Sequence, residues 1–306
     1  MKELLTASRM STLVGCPRRH FWRYEIGLKT VTDATALRIG TAWHSAMEAR
    51  WKGLAFEAAL SAAVNGMAFE EIQVATLAGL LAGYYRRYNQ EPIIALNPEI
   101  EFRHPIMGSR TFDSAGKIDG LGTLADGRTV LLEHKTTADS IESNSDYWLR
   151  LRLNQQVMQY LCASRALGHD VQTIIYDVCR KPSIRQKQTE TPEEFGQRLA
   201  ADTLARPEFY FARREVPVLD QDLEEFKVQR YELSKLILTL RQAENRTALR
   251  EQAWPRNLSD FGCRMCQFSS FCLQSIHADA EHVPSGFVLK EVNAELSAQK
   301  KRGSRG

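Results

Sequence analysis

No run of about 18 consecutive apolar residues, the length a helix needs to span a bilayer, occurs in the chain, so no membrane-spanning helix is expected. The first residues, Met1-Lys2-Glu3-Leu4-Leu5, lack the long apolar stretch of a secretory signal, so a cytoplasmic location is expected. There is no internal repeat, and no Gly-rich loop ending in Gly-Lys-Ser/Thr. The chain therefore carries no nucleotide-driven motor of its own. Charge of one sign is also scarce: 40 Lys and Arg against 37 Asp and Glu leave +3, too little to coat a polyanion by bulk charge. Cysteine is sparse, with six in 306 residues, but three of the six fall close together. In a reducing compartment such clustering marks metal ligands more often than disulfides.

What remains is the composition of a globular protein. A hydrophobic share of 43% in 306 residues is enough for a real core, in one large domain or two small ones. Basic residues gather locally: Arg18, Arg19, His20 and Arg23; Arg180, Lys181, Arg185 and Lys187; Arg213 and Arg214; and Lys300, Lys301, Arg302 and Arg305. Such patches are the electrostatic footprint of phosphate-backbone binding. Arg18, Arg19, Arg180 and Lys181 are the expected DNA contacts.

Period and punctuation divide the chain. Residues 8–24 read as a helix entry and a short basic, aromatic helix interrupted at Cys16-Pro17. An amphipathic helix follows Gly40, from Thr41 to about Lys52, and a second helical stretch runs from about Phe56 to Tyr88, with Asn65-Gly66 as its break. After Pro98, strands are predicted at 99–104, 111–123 and 128–135, the last two joined by the turn Ala125-Asp126-Gly127. Helical period returns at 149–167, then an apolar strand at Val171–Val178. Thr191-Pro192-Glu193-Glu194 opens another helix as a capping box. A strand at 208–218 and a long amphipathic helix at 220–245 lead to a Trp/Pro/Gly/Cys-rich segment at 254–275.

Side chains alternate along a strand, so Glu133 and Lys135 face one way and His134 the other. Asp119 lies on the preceding strand across the turn, and two carboxylates and a lysine can meet on one face. That set holds a hard cation through oxygen ligands and places an ammonium beside it. Val130, Leu131 and Leu132 lead directly into Glu133, so the charges end a buried strand rather than an exposed ion-pair ladder. Glu101, on the strand before, is a supporting candidate.

The segment Gly116-Lys117-Ile118-Asp119-Gly120 followed by Leu131-Leu132-Glu133-His134-Lys135-Thr136-Thr137 resembles the nuclease core of RecB-type exonucleases, in the PD-(D/E)XK superfamily. Gly40-Thr41-Ala42-Trp43-His44 resembles that family's Gly-x-x-x-His, and Gln156-Val157-Met158-Gln159-Tyr160 its Gln-x-x-x-Tyr, in the family's order. The resemblance implies that Asp119 and Glu133, with His44 and the His134 main-chain carbonyl, hold Mg²⁺ or Mn²⁺. It implies that Lys135 serves catalysis, and that Gln156 and Tyr160, one helical turn apart, contact DNA or brace the lysine.

Cys263-Arg264-Met265-Cys266 with Cys272 after five residues offers three thiolates that need a fourth ligand. Cys16, Cys162 and Cys179 are the candidates. Cys162 on a periodic helix and Cys179 at a strand end read as small buried residues, whereas Cys16 sits in an irregular Gly-Cys-Pro turn. One N-terminal cysteine plus this C-terminal trio resembles the iron–sulfur staple of AddB-type and CRISPR-adaptation nucleases, which implies a structural [4Fe–4S] cluster on Cys16, Cys263, Cys266 and Cys272. Four thiolates also suit zinc, and spacing alone does not separate the two.

The expected fold is therefore α/β: a restriction-endonuclease-like core with a mixed central sheet flanked by helices, a helical insertion at about 53–95, and the two ends joined by the cysteine-bound cluster. Residues 1–283 are expected as one nuclease domain and 284–306 as a loosely ordered basic tail. The implied activity is metal-dependent exonucleolytic hydrolysis of DNA, on single-stranded ends, in recombination, repair, CRISPR adaptation or phage DNA metabolism. A helicase or another recombination or CRISPR-adaptation protein is the implied partner, and an oligomer is compatible with the resemblance. Two other readings stay open. One is a cysteine-clamped DNA-binding subunit of a helicase–nuclease complex without activity of its own. The other is a zinc-stapled restriction-type endonuclease.

Overall fold

The computed structural model describes residues 2–32, 35–90, 93–293 and 296. In chain order the elements are β1 (Glu3–Leu5), α1 (Ala7–Gly15), α2 (Pro17–His20), a π-helical turn (Phe21–Ile26), β2 (Leu28–Thr30), α3 (Thr35–Trp51), α4 (Phe56–Val64), α5 (Glu71–Arg87), β3 (Ile93–Pro105), β4 (Phe112–Leu124), β5 (Thr129–Thr137), α6 (Asp146–Leu151), α7 (Gln155–Ala166), β6 (Val171–Arg180), α8 (Pro192–Ala205), α9 (Pro207–Tyr210), β7 (Phe211–Val216), α10 (Asp220–Ala243), two 3₁₀ turns (Glu244–Arg246 and Arg250–Ala253), α11 (Asp260–Arg264), α12 (Ser269–Cys272) and β8 (Phe287–Leu289). They form two compact units, each built from separated stretches: Met1–Asp33, Glu101–Gly116 and Gln221–Gly306 in one, Ala34–Ile100 and Lys117–Asp220 in the other.

The second unit carries the mixed sheet. β4 and β5 form the expected hairpin, with Gly120 opposite Leu132. Gly127 closes it at φ +87°, where a side chain would be strained. β5 runs parallel to β6, which needs a long crossover, and α6 and α7 supply it. β6 then pairs antiparallel with β7, and β3 pairs with β4. Val130 through His134 are all buried, as a central strand covered on both faces requires. Helices α3, α4, α5 and α8 pack a core around Trp43, Met47, Leu80, Tyr84 and Leu199. A Cβ on Gly83 would fall 2.5 Å from the Thr203 Cβ, so α5 and α8 approach as closely as they do only because glycine stands there.

The helix expected at 149–167 is two helices. Helical period continues through the sequence, but Asn154 turns its side chain back to accept from the Gln156 amide and starts α7 afresh. The capping box at Thr191 forms as expected, with Thr191 and Glu194 bonding each other's amides.

In the first unit, β1 runs parallel to the start of β4, Glu3 opposite Phe112. The segment from 284, expected as loose tail, contributes β8, which pairs antiparallel with β2. Gly27, at φ +86°, makes that pairing possible: its carbonyl accepts from Lys290, and a Cβ there would sit 2.7 Å from the Lys290 oxygen. Lys300, Lys301, Arg302 and Arg305 lie outside the described residues.

His20 is fully buried in this unit, stacked on Trp254 at 5.3 Å, with Nε2 accepting from Arg9 Nε at 3.3 Å. Burial, reinforced by the charges of Arg9 and Arg241, pushes its pKa down to about 2. Below about pH 6.5 the unfolded chain takes up a proton at this histidine that the folded chain refuses. Stability is therefore lost as pH falls through 6.5, by about 1.4 kcal/mol per pH unit for this one group. Urea denaturation at pH 6.5 and pH 5 should differ by about 2 kcal/mol, with a smaller gap in His20→Asn. Equal stability at both values would mean that His20 is not held neutral.

Candidate active site

The hairpin places the carboxylates. Continuing its register, Asp119 falls opposite Glu133. The His134 amide donates to Asp119 Oδ2 at 2.9 Å, so a side chain of β4 grips the backbone of β5 at the position where the main-chain carbonyl was expected to serve as ligand. From α3, His44 Nδ1 reaches to 3.3 Å of Asp119 Oδ2. Lys135 lies on the same face as Glu133, its Nζ donating to Glu133 Oε1 at 2.5 Å and to Gln156 Oε1 at 2.7 Å. The Gln156 amide nitrogen then donates to Tyr160 Oη at 2.8 Å, one turn along α7. The structure thus pairs His44 with Asp119 and links Glu133, Lys135, Gln156 and Tyr160 in a hydrogen-bonded chain, the two sets tied by the bond from the His134 amide to Asp119.

Its electrostatics are those of a cation site. Glu133 is completely buried, and its Oε2 has no hydrogen-bond partner. Burial, with the neighbouring charge of Asp119, raises the Glu133 pKa to about 7. Burial also works against an ionised Asp119, but the charge and hydrogen bond of His44 outweigh it and hold that carboxyl below its ordinary range. For His44 burial works toward the neutral form, and Asp119 and Glu133 together reverse the sign and raise it. A divalent cation relieves this arrangement: it neutralises two crowded carboxylates and gives the orphaned Oε2 a partner. The His44–Asp119 separation suits two donors on one ion. The donors of His44, Asp119 and Glu133 do not all lie within 4.8 Å of one another, and Lys135 holds the Glu133 carboxylate through Oε1.

The PD-(D/E)XK nuclease superfamily profile matches residues 4–273. The chain belongs to this superfamily. Its name spells the pattern met here, with Asp119 first, Glu133-His134-Lys135 second, and Ile118 in the place of the proline. No curated protein matches the sequence significantly. Among the solved structures that are similar, two show low identity. SSO0001 shares 13% identity over 89% of this chain and 87% of its own, at TM-score 0.44. LHK-Exo, crystallised in complex with dAMP, shares 11% over 67% of this chain and 97% of its own, at TM-score 0.26.

Within this candidate site, several residues escaped sequence reasoning. Glu99, rather than the expected Glu101, is the acidic residue beside the site. It pairs with Lys117 and lies within electrostatic reach of Asp119. Glu101 instead lines a cavity of about 500 Å³ in the first unit, with Lys2, Glu3, Arg9 and Arg103. Behind the site, on the face to which His134 points, the imidazole is pinned. Trp51 Nε1 donates to Nε2 at 3.1 Å, which puts the ring proton on Nδ1, 3.2 Å from Asp177 Oδ2. Asp177 is paired in register with both His134 and Arg213, receives a hydrogen bond from Tyr84, and has Arg213 Nε at 3.3 Å. An acidic residue inside the apolar run 171–178 was the one signal of this network.

The cysteines and basic residues complete the tally of positions. Cys16, Cys263, Cys266 and Cys272 line one cavity of about 60 Å³ in the first unit. Cys162 and Cys179 are buried in the other, as expected of apolar residues. Arg18, expected to contact DNA, is instead buried: its Nε donates to the Trp254 carbonyl at 2.8 Å and its guanidinium lies over Trp22. Arg19, Arg180 and Lys181 are partly exposed, with Arg180 stacked 4.2 Å over Phe209. Among the described residues no helix is long and apolar enough to cross a membrane.

Proposed function

We propose that the protein is a metal-dependent deoxyribonuclease that degrades DNA from ends, acting on single strands, in recombination, repair, CRISPR adaptation or phage DNA metabolism. The observation that carries this reading is the pairing of His44 with Asp119 and of Lys135 with Glu133, with Asp119 near enough for its charge to act on Glu133, whose buried Oε2 lacks a partner. His44, Asp119, Glu133 and the His134 carbonyl would hold Mg²⁺ or Mn²⁺. When bound, the ion would supply Lewis-acid chemistry, polarising a phosphoryl oxygen and making water a stronger nucleophile. Lys135, fixed between Glu133 and Gln156, orients that water and meets the charge that develops on the phosphate. Gln156 and Tyr160 keep the ammonium in place and offer polar edges to the strand. Arg19, Arg180 and Lys181 supply phosphate contacts.

The cysteine pocket is read as the seat of a [4Fe–4S] cluster. Donors on one zinc ion stand about 3.8 Å apart, given zinc–sulfur bonds near 2.3 Å. No three of the four sulfurs lie within 4.8 Å of one another, a spread that suits thiolates on separate irons.

The test is a time course on end-labelled single- and double-stranded DNA with each metal. A histidine ligand is borderline for magnesium and comfortable for manganese, so cleavage should be faster with Mn²⁺ than with Mg²⁺ at saturation. Equal rates would remove His44 from the ligand set. Sequence-specific cutting of closed circles would replace the exonuclease reading with the endonuclease one.

A further inference from the structure

A second set of metal-binding side chains lies in the first unit, in the loop after the cysteines. His277, Asp279 and His282 bring their donor atoms within 4.8 Å of one another, the one such group of three or more among the described residues. His277 Nε2 is 2.9 Å from Asp279 Oδ2, and His282 Nδ1 is 3.0 Å from Asp279 Oδ1. Two donors each about 2.1 Å from one ion stand roughly 3.0–3.4 Å apart, so little adjustment separates this arrangement from a coordination shell. The loop is built to present Asp279: the Glu281 and His282 amides both donate to its Oδ1, at 2.8 and 2.7 Å.

A separate observation comes from behind the histidine. Glu251, in the 3₁₀ turn at Arg250–Ala253, is buried, with 4% of its surface exposed. Its Oε1 stands 2.6 Å from His277 Nδ1, and its Oε2 has no partner. A carboxylate bound to Nδ1 fixes the proton there and turns the Nε2 lone pair outward, the arrangement that orients histidine on zinc. Here Nε2 then faces a carboxylate oxygen, and two acceptors at that distance are bridged by either a second ring proton or a metal ion.

We propose that His277, Asp279 and His282 bind one divalent first-row metal ion, oriented by Glu251, with solvent filling the remaining coordination. Two imidazoles and a carboxylate suit zinc or its neighbours rather than magnesium. The ion fastens the 277–282 loop to the turn at 250–253, and so clamps the chain just beyond the last cysteine. The site is independent of the nuclease reading, since none of its residues belongs to the candidate active site.

Zinc alone is the probe, titrated calorimetrically into the full chain carrying Asp119→Asn, which disables the other carboxylate site. His282→Gln is the main variant, because its side chain is 66% exposed and dispensable for packing. The expected result is one zinc equivalent that disappears with His282→Gln, a binding event about 10- to 100-fold weaker with Glu251→Gln, and a zinc-induced rise in Tm that only the parent shows. Zinc taken up by the cysteines appears as a further equivalent unaffected by His282→Gln. The proposal is overturned if stoichiometry, affinity and the Tm rise are the same in parent and His282→Gln. It is equally overturned if the parent binds no zinc beyond the cysteines, in which case His277 is an imidazolium bridging two carboxylates.

Discussion

Lys135→Ala is expected to reduce DNA cleavage by about 10²–10³-fold while leaving DNA affinity within a few-fold of the parent. The lysine Nζ is held between the Glu133 and Gln156 oxygens at 2.5 and 2.7 Å, so it is placed beside the proposed metal rather than tethered to a distant partner. Its loss removes a positioned charge from the reaction while the phosphate-binding surface stays. Glu133, already raised to about 7, loses one of the two positive groups that oppose its protonation, so residual activity should shift to higher pH. The measurement is a single-turnover rate with Mn²⁺, paired with a binding isotherm on the same labelled strand. A variant that cuts as fast as the parent would move the protein to the class of DNA-binding subunits, with the acidic site retained as scaffold.

Cys263→Ala should give a colourless protein with a much smaller soluble fraction. Cys16 and Cys263 lie 247 residues apart (263 − 16), and a link between them closes a loop of most of the chain. Crosslinks over loops longer than about 100 residues stabilise by on the order of 5 kcal/mol, comparable to the whole stability of many domains. The four cysteines line one small cavity, and the aromatic side chains beside it, Trp22, Phe268 and Phe271, pack against one another at 4.7–5.9 Å around the same loop. Absorbance of anaerobically purified protein reads the cluster, and thermal melting reads the link. Full visible absorbance and an unchanged Tm in the variant would dismiss the cluster at this position.

The legible parts of this molecule are those in which a local pattern carries the information. Alternation put Glu133 and Lys135 on one face and His134 on the other. Gly127 marked the turn that brings Asp119 across, and the capping box at Thr191 marked a helix start to the residue. What stayed hidden is what depends on distant partners. Trp51, Tyr84, His134, Asp177 and Arg213 come from five elements, and nothing in the neighbourhood of any one names the others. Arg18 reads as a surface cation, yet its fate is set by a carbonyl 236 residues away. Glu99 and Glu101 show the limit of the period-two rule: residues two apart should share a face, but Glu99 takes φ +58° and breaks the alternation.

The hydrogen bond from the His134 amide to Asp119 has a consequence for motion. That proton can exchange with solvent only when its bond to the Asp119 carboxylate is broken. His134 is buried, its ring pinned between Trp51 and Asp177 and its strand paired along nine positions with β6. Releasing the amide therefore takes either a turn of the Asp119 side chain or an opening of β5, and both groups are buried. The protection of this one amide and the placement of the proposed metal-binding carboxylate are therefore the same bond, so its exchange rate counts how often the site comes apart.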